Sequence, residues 1–326
     1  MREVLCAVVL LASCSSCNPG PSVALVVPSG PATSPYGAPV WTADGKCLLF
    51  MHAPLKAIAR DSDGNWQQQF YWDSAGVWAA NVDGSDQRLL RQLTGSLGIS
   101  RDGRWVAIGT PGNEIQKVQV SGDSLALSTM VSVGEGGLPS WSPDGTRILV
   151  QRGSGLWVLS ADGSSERLVE GTSGARYPDW HPAGERALAC NWLHSTADTA
   201  GIIEYDLSGV RAPRLVRLGF AGDPTCQSCR RFYSPHYSPD GKQIAWISQD
   251  AYTGGNIEVW IMNGDGTRAR PLTGEGVLPD GMSWSPDGRK IAYVSYRSWD
   301  FTLSNGTIWI VDVQTAVKSQ VTFNRL

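Results

Sequence analysis

Apolar residues along this chain gather in short runs, such as Arg147-Ile148-Leu149-Val150, Leu156-Trp157-Val158-Leu159, Val259-Trp260-Ile261-Met262 and Ile291-Ala292-Tyr293-Val294. β-Branched and aromatic side chains dominate these runs, which suits strands packed between sheets. No stretch sustains the helical period of 3.6, so the pattern predicts an all-β protein. Polar turn signals punctuate the runs at matching places. The clearest are Trp141-Ser142-Pro143-Asp144-Gly145, Trp284-Ser285-Pro286-Asp287-Gly288 and Tyr237-Ser238-Pro239-Asp240-Gly241. Degenerate copies stand at Trp41-Thr42-Ala43-Asp44-Gly45, Ile99-Ser100-Arg101-Asp102-Gly103 and Trp180-His181-Pro182-Ala183-Gly184. Such a segment suits a type I turn: Ser can bond its own backbone, Pro presets φ near −65°, and Gly closes the fourth position.

The fourth residues of the copies lie at 44, 102, 144, 183, 240 and 287, at intervals of 58, 42, 39, 57 and 47. A four-stranded propeller blade takes roughly 40–50 residues, so the two long intervals read as blades with inserted loops. Each unit has a second half, an alternating strand followed by a Gly turn such as Asp162-Gly163 or Asp265-Gly266. A last short strand often reads Arg-x-Leu-Thr, as in Arg91-Gln92-Leu93-Thr94 and Arg270-Pro271-Leu272-Thr273. The expected architecture is therefore a six-bladed β-propeller of four-stranded antiparallel blades over residues 38–326. The aromatic residue before each turn, Trp41, Trp141, Trp180 or Trp284, is expected to pack between neighbouring blades.

These turns and their flanking strands resemble the WD-like propeller repeat of TolB, which also occurs in the propeller domain of prolyl-oligopeptidase-type enzymes. The resemblance covers about residues 38–323 and is specific for the repeat, while one fold hosts many functions. The TolB propeller engages the peptidoglycan-associated lipoprotein, which offers a model for the partner class. With no catalytic motif in the chain, the expected function is a non-catalytic envelope protein that binds a protein partner. Neither the α/β domain that precedes that propeller nor the hydrolase domain of the peptidase relatives is expected here. Some relatives with these repeats act on oligouronides, which keeps a second reading open: a glycan binder or polysaccharide lyase acting at the channel mouth.

Net charge is −3 and no Lys/Arg run occurs, which argues against nucleic acid as a partner. Arg2, the apolar stretch Val4 to Ala12 and the small residues beyond it have the layout of a secretory signal, and Leu11-Ala12-Ser13-Cys14 resembles a lipobox. Residues 1–14 are thus expected to be a signal peptide with Cys14 lipidated. A simple cleaved signal and a mis-assigned start remain the alternatives. By analogy Ser15 after Cys14 points to the outer membrane, so the periplasmic face of the bacterial envelope is the expected location. Residues 15–37, rich in Ser, Pro and Gly, read as a tether in which Ser22 to Val27 could form a ring-closing strand. Attachment to the membrane is expected through the lipid alone, and a monomer is expected.

Cys226-Gln227-Ser228-Cys229 reads as a structural disulfide of an oxidising compartment. Half a metal site with His236 and a redox pair are the other readings. Cys47 and Cys190 follow turns on strands and are expected as buried small hydrophobes. No cofactor or metal is expected.

Antiparallel parity puts the Ser-Pro-Asp-Gly and Asp-Gly turns at one end of the propeller. The insertions Met51–Ala75, Asn191–Ala200, Gly219–Tyr233, Gln249–Gly255 and Tyr296–Asn305 then fall at the other end. Loops on a rigid scaffold often carry function, and these are aromatic and Arg-rich. The candidate partner-binding residues are Trp72, Trp192, His194, Arg230, Arg231, Tyr252, Arg297 and Trp299. Packing of the long loops against one another is the competing explanation. Asp61-Ser62-Asp63-Gly64-Asn65 hints at a calcium loop but lacks its distal Glu, and reads as a hairpin turn. No Gly-x-Ser-x-Gly elbow or His-Glu-x-x-His occurs. Of His52, His181, His194 and His236, only His194 stands out; His181 and His236 belong to turn copies and are expected to be structural.

Overall fold

A computed structural model describes residues 37–60, 66–121, 124–191, 199–221, 230–250, 257–274, 276–295 and 307–323. Six four-stranded antiparallel sheets follow one another along the chain. Their first strands are Gly37–Trp41, Ser96–Ile99, Gly137–Trp141, Ala175–Trp180, Arg230–Tyr237 and Val277–Trp284. Each sheet takes its four strands in chain order from one stretch of sequence, which in blade 1 also holds a separate two-stranded hairpin, and blade 1 meets blade 6 to close the ring. The suggested closing strand, Ser22 to Val27, lies outside the described residues, as do Cys14, Cys226 and Cys229. Among the described residues the only helical turn is the 3-10 turn Trp72–Ser74, and no helix is long and apolar enough to cross a membrane.

The repeated turn forms for the expected reasons and for one more. In blade 3, Gly145 sits at φ 70° and donates its N–H to the Ser142 carbonyl at 3.0 Å. The Asp is the addition: Asp144 Oδ1 accepts the Ser142 hydroxyl at 2.6 Å and the Thr146 N–H at 3.0 Å. Ser142 Oγ in turn accepts the Arg147 N–H at 2.9 Å, so the two side chains satisfy the backbone where the strands diverge. The same hydroxyl-to-carboxylate bond recurs at Thr42–Asp44, Ser100–Asp102, Ser238–Asp240 and Ser285–Asp287. His181-Pro182-Ala183 keeps the geometry with different atoms, His181 Nδ1 accepting the Ala183 N–H at 3.1 Å. These bonds hold the carboxylates below their ordinary range, that of Asp144 at about 2.

The core lies between blades. One cluster joins Trp41, Leu48, Phe50 and Ala80 of blade 1 to Ala292, Val294, Ile308 and Ile310 of blade 6. Another joins Ala107 and Ile115 of blade 2 to Trp141, Ile148 and Leu159 of blade 3. The turn-preceding aromatics pack there as expected, with Trp41, Trp141, Trp180 and Trp284 all buried. Burial of one such apolar side chain contributes on the order of 2–3 kcal/mol. The Thr of the Arg-x-Leu-Thr signature has a separate task. Thr273 Oγ1 accepts the Val259 N–H at 3.1 Å, and Thr172 and Thr322 do the same for Leu156 and Ile308 at 3.0 and 2.8 Å. It thereby ties the exit of the outer strand to the start of the third.

Three expectations need correction. Met51–Ala75 is not a plain loop, because Leu55–Arg60 and Trp66–Phe70 pair as an antiparallel hairpin on either side of residues 61–65. Gly219–Tyr233 is partly strand as well: Arg230 and Arg231 open the first strand of blade 5, opposite Asp250 and Gln249. Cys190 is buried as expected, and burial raises its thiol pKa. Cys47 is only half-buried, and its thiol donates to Asn81 Oδ1 at 3.3 Å.

Candidate functional site

Each first strand runs from the loop-bearing end to the turn end beside the central channel, and a bulge shapes most of them. Leu138, Tyr177 and Ser234 take φ of 52°, 57° and 45°, each immediately before a Pro. A residue before Pro is excluded from the right-handed helical region, and here the left-handed turn and the rigid ring together displace the strand. Because the same conformation recurs in three blades, it belongs to the architecture. The residue ahead of each turn copy's leading aromatic, or of Ile99 in blade 2, stands on the channel wall, brought there by the bulge in every blade but the second: Val40, Gly98, Ser140, Asp179, His236 and Ser283.

These wall residues also join the blades. The indole N–H groups of Trp41, Trp141 and Trp284 donate to the carbonyls of Ser283, Gly98 and His236 at 3.3, 3.1 and 3.1 Å. Ser140 Oγ accepts the Trp180 N–H, and Asp179 Oδ2 the Tyr237 N–H, both at 2.9 Å. Asp179 Oδ1 lies 3.1 Å from His236 Nδ1. Gly98 has no room for a side chain, since a Cβ there would meet the Pro139 carbonyl oxygen at 2.1 Å.

The result is a cavity of about 380 Å³ along the channel, reaching the turn end. Its polar wall includes the Asp179–His236 pair, which sequence reasoning missed by treating His236 as a turn accessory. The available signal was position: both precede the aromatic of a turn copy. At the turn end Arg101 crosses the opening from blade 2. Its Nη1 donates to the Pro182 carbonyl, and its Nη2 to the Pro239 carbonyl at 3.1 Å. Among the described residues no group of three His, Cys, Asp or Glu converges as a metal site.

A second polar cluster lies between blades 4 and 5. Glu204, 9 % exposed, accepts the Tyr237 hydroxyl at 2.6 Å and meets Arg186 and Arg214 at 3.2 and 3.3 Å. Burial alone would raise its pKa, but the Tyr237 hydroxyl and both guanidiniums outweigh it, leaving the carboxylate lowered. Burial, then the bond to Glu204, raises Tyr237. His181 stacks edge-on against the Tyr237 ring at 4.5 Å, and burial with the neighbouring Arg186 lowers its pKa. Every charge here has a partner, so the cluster is an inter-blade clamp.

At the loop-bearing end, Trp72 is 66 % exposed and Tyr71 47 %. Phe70 packs edge-on against Trp72 with ring centroids 5.4 Å apart, and Lys56 Nζ lies 5.9 Å from the Tyr71 ring centre. Arg231 is exposed at the same end. His52, beneath this edge, packs on Trp78 at 5.1 Å, and burial holds its pKa at about 4. Arg230 stands on its strand, and Trp192, His194, Tyr252, Arg297 and Trp299 lie outside the described residues. The described geometry thus shows one exposed aromatic cluster on this face.

No family model matches the chain. An uncharacterised protein of Agrobacterium fabrum is 25% identical over 80% of this chain and 85% of its own. The Tol-Pal system protein TolB of a Jannaschia species is 26% identical over 59% of this chain but 45% of its own, so the chain spans less than half of that relative. The crystal structure of TolB from Acinetobacter baumannii superposes with a TM-score of 0.58 at 16% identity, covering 87% of this chain and 79% of that one. By its sequence relatives and its architecture, the chain is a TolB-like six-bladed β-propeller.

Proposed function

We propose that this propeller is an exported, non-catalytic protein of the bacterial envelope that binds a protein partner through its loop-bearing face, anchored by lipid at Cys14. One observation carries the reading: Trp72 and Tyr71 stand exposed on that face, held by Phe70 on a paired hairpin. Large aromatic side chains left in solvent on a rigid mount are what interface anchors look like before binding. The likeness to a protein named for the Tol-Pal system agrees with an envelope partner, a lipoprotein among the candidates. Trp192, His194, Arg230, Arg231, Tyr252, Arg297 and Trp299 are proposed to widen the same face, and Cys226–Cys229 to brace it as a disulfide.

The test is affinity capture from envelope extract with wild-type protein and with Tyr71→Ala/Trp72→Ala. Recovery of a protein by the wild type, reduced at least about tenfold in the variant, supports the reading. Equal recovery by both would reject this face. Labelled palmitate incorporation that disappears in Cys14→Ser tests the anchor. A glycan-binding reading draws on the Asp179–His236 pair inside the channel. Capture of sugars alone, with no protein, would favour it.

A further inference from the structure

Arg101 is the exception in the ring of turns. The second turn position is Pro in four copies (Pro143, Pro182, Pro239 and Pro286) and Ala43 in another; only Arg101 carries a charge. Its guanidinium lies across the turn-end opening on two neutral backbone carbonyls, those of Pro182 and Pro239, and among the described residues no carboxylate pairs with it. A carboxylate offers a guanidinium two parallel charge-assisted bonds, roughly twice as strong as bonds to neutral acceptors. The carbonyls therefore hold Arg101 in place without matching its charge.

Behind it lies the cavity of about 380 Å³, within the size range of small-molecule sites. Leu97, Leu138, Pro139 and Met282 give it apolar walls. A charged recognition group at the mouth and apolar side chains on a wall that also carries the Asp179–His236 pair describe a site for an amphipathic anion.

We propose that the turn end of the channel binds a small organic carboxylate with an apolar body, and that Arg101 recognises its charge. The guanidinium moves from the two carbonyls onto the carboxylate, while the apolar body enters the channel. The site lies at the end opposite the proposed partner face and does not depend on that reading.

The probe is 4-fluorobenzoate, with 4-fluorobenzamide as its neutral analogue, titrated into the protein and followed by fluorine NMR. The acid should bind with a Kd on the order of 1 mM or tighter. The amide, and the acid with Arg101→Ala, should bind at least about tenfold more weakly. Arg101→Gln keeps donors for the carbonyls but removes the charge, and should lose acid binding with an unchanged melting temperature. Equal binding of acid and amide, undiminished binding by Arg101→Gln, or no acid binding at about 10 mM would each overturn the proposal.

Discussion

The two ends of this propeller follow opposite rules. At the turn end, five of the six copies repeat a hydroxyl, a carboxylate and a left-handed Gly in fixed relation, His181 stands in for that set in blade 4, and each side chain closes a local hydrogen bond. At the loop end, among the described residues, blade 1 alone adds a hairpin and a 3-10 turn that leave Tyr71 and Trp72 in solvent. Aromatic residues occur at both ends, yet their surroundings differ. Trp284 near the turn end is 8 % exposed and donates to the blade before it, whereas Trp72 is 66 % exposed. One residue type thus serves cohesion where the repeat is intact and is free for contact where the repeat is interrupted.

The largest expected effect comes from the buried side of that contrast. Trp284→Ala removes an indole from the interface of blades 5 and 6 and its bond to the His236 carbonyl, and should cost about 3–5 kcal/mol in urea unfolding. A cost below about 1 kcal/mol would mean the blades do not depend on these aromatics. The turns come next. Asp144→Ala removes the acceptor for Ser142 and Thr146 on an exposed turn, and should cost roughly 1 kcal/mol. Acid should reveal the same bonds collectively. Asp144 titrates at about 2 when folded against an ordinary 3.8, so its contribution is full above pH 4 and fades as pH falls toward 2. Asp44, Asp102, Asp240 and Asp287 shift in the same direction. A melting temperature that stays flat from pH 5 to about 2.5 would remove the turn carboxylates from the account. Smallest is Trp72→Ala, which should change stability by less than about 0.5 kcal/mol while it reduces partner capture. A large loss of stability there would make Trp72 a packing residue and erase the contrast.

The same contrast decides what the sequence could disclose. Ser142, Asp144 and Gly145 announce a turn because their short-range chemistry is complete within a few residues, and six such turns count the blades. Trp141 and its counterparts announce a core because they recur in step with the turns. The channel wall offers no such signal. Val40, Gly98, Ser140, Asp179, His236 and Ser283 share a position but no common chemistry, since the course of the backbone through each first strand selects what faces the channel. Arg101 read as a degenerate Pro, and only the closed ring brings blades 4 and 5 within its reach. On the loop face, exposure of Trp72 depends on a hairpin whose pairing partners have no repeat to betray them.

The most direct test of the central claim, that partners meet the loop-bearing end, is site-specific photocrosslinking in intact envelopes. A benzoylphenylalanine would replace Trp72 at that end, or Asp162 on an exposed Asp-Gly turn at the other. The account predicts a discrete protein adduct from position 72 and none from position 162. An adduct from position 162 with none from position 72 would contradict it.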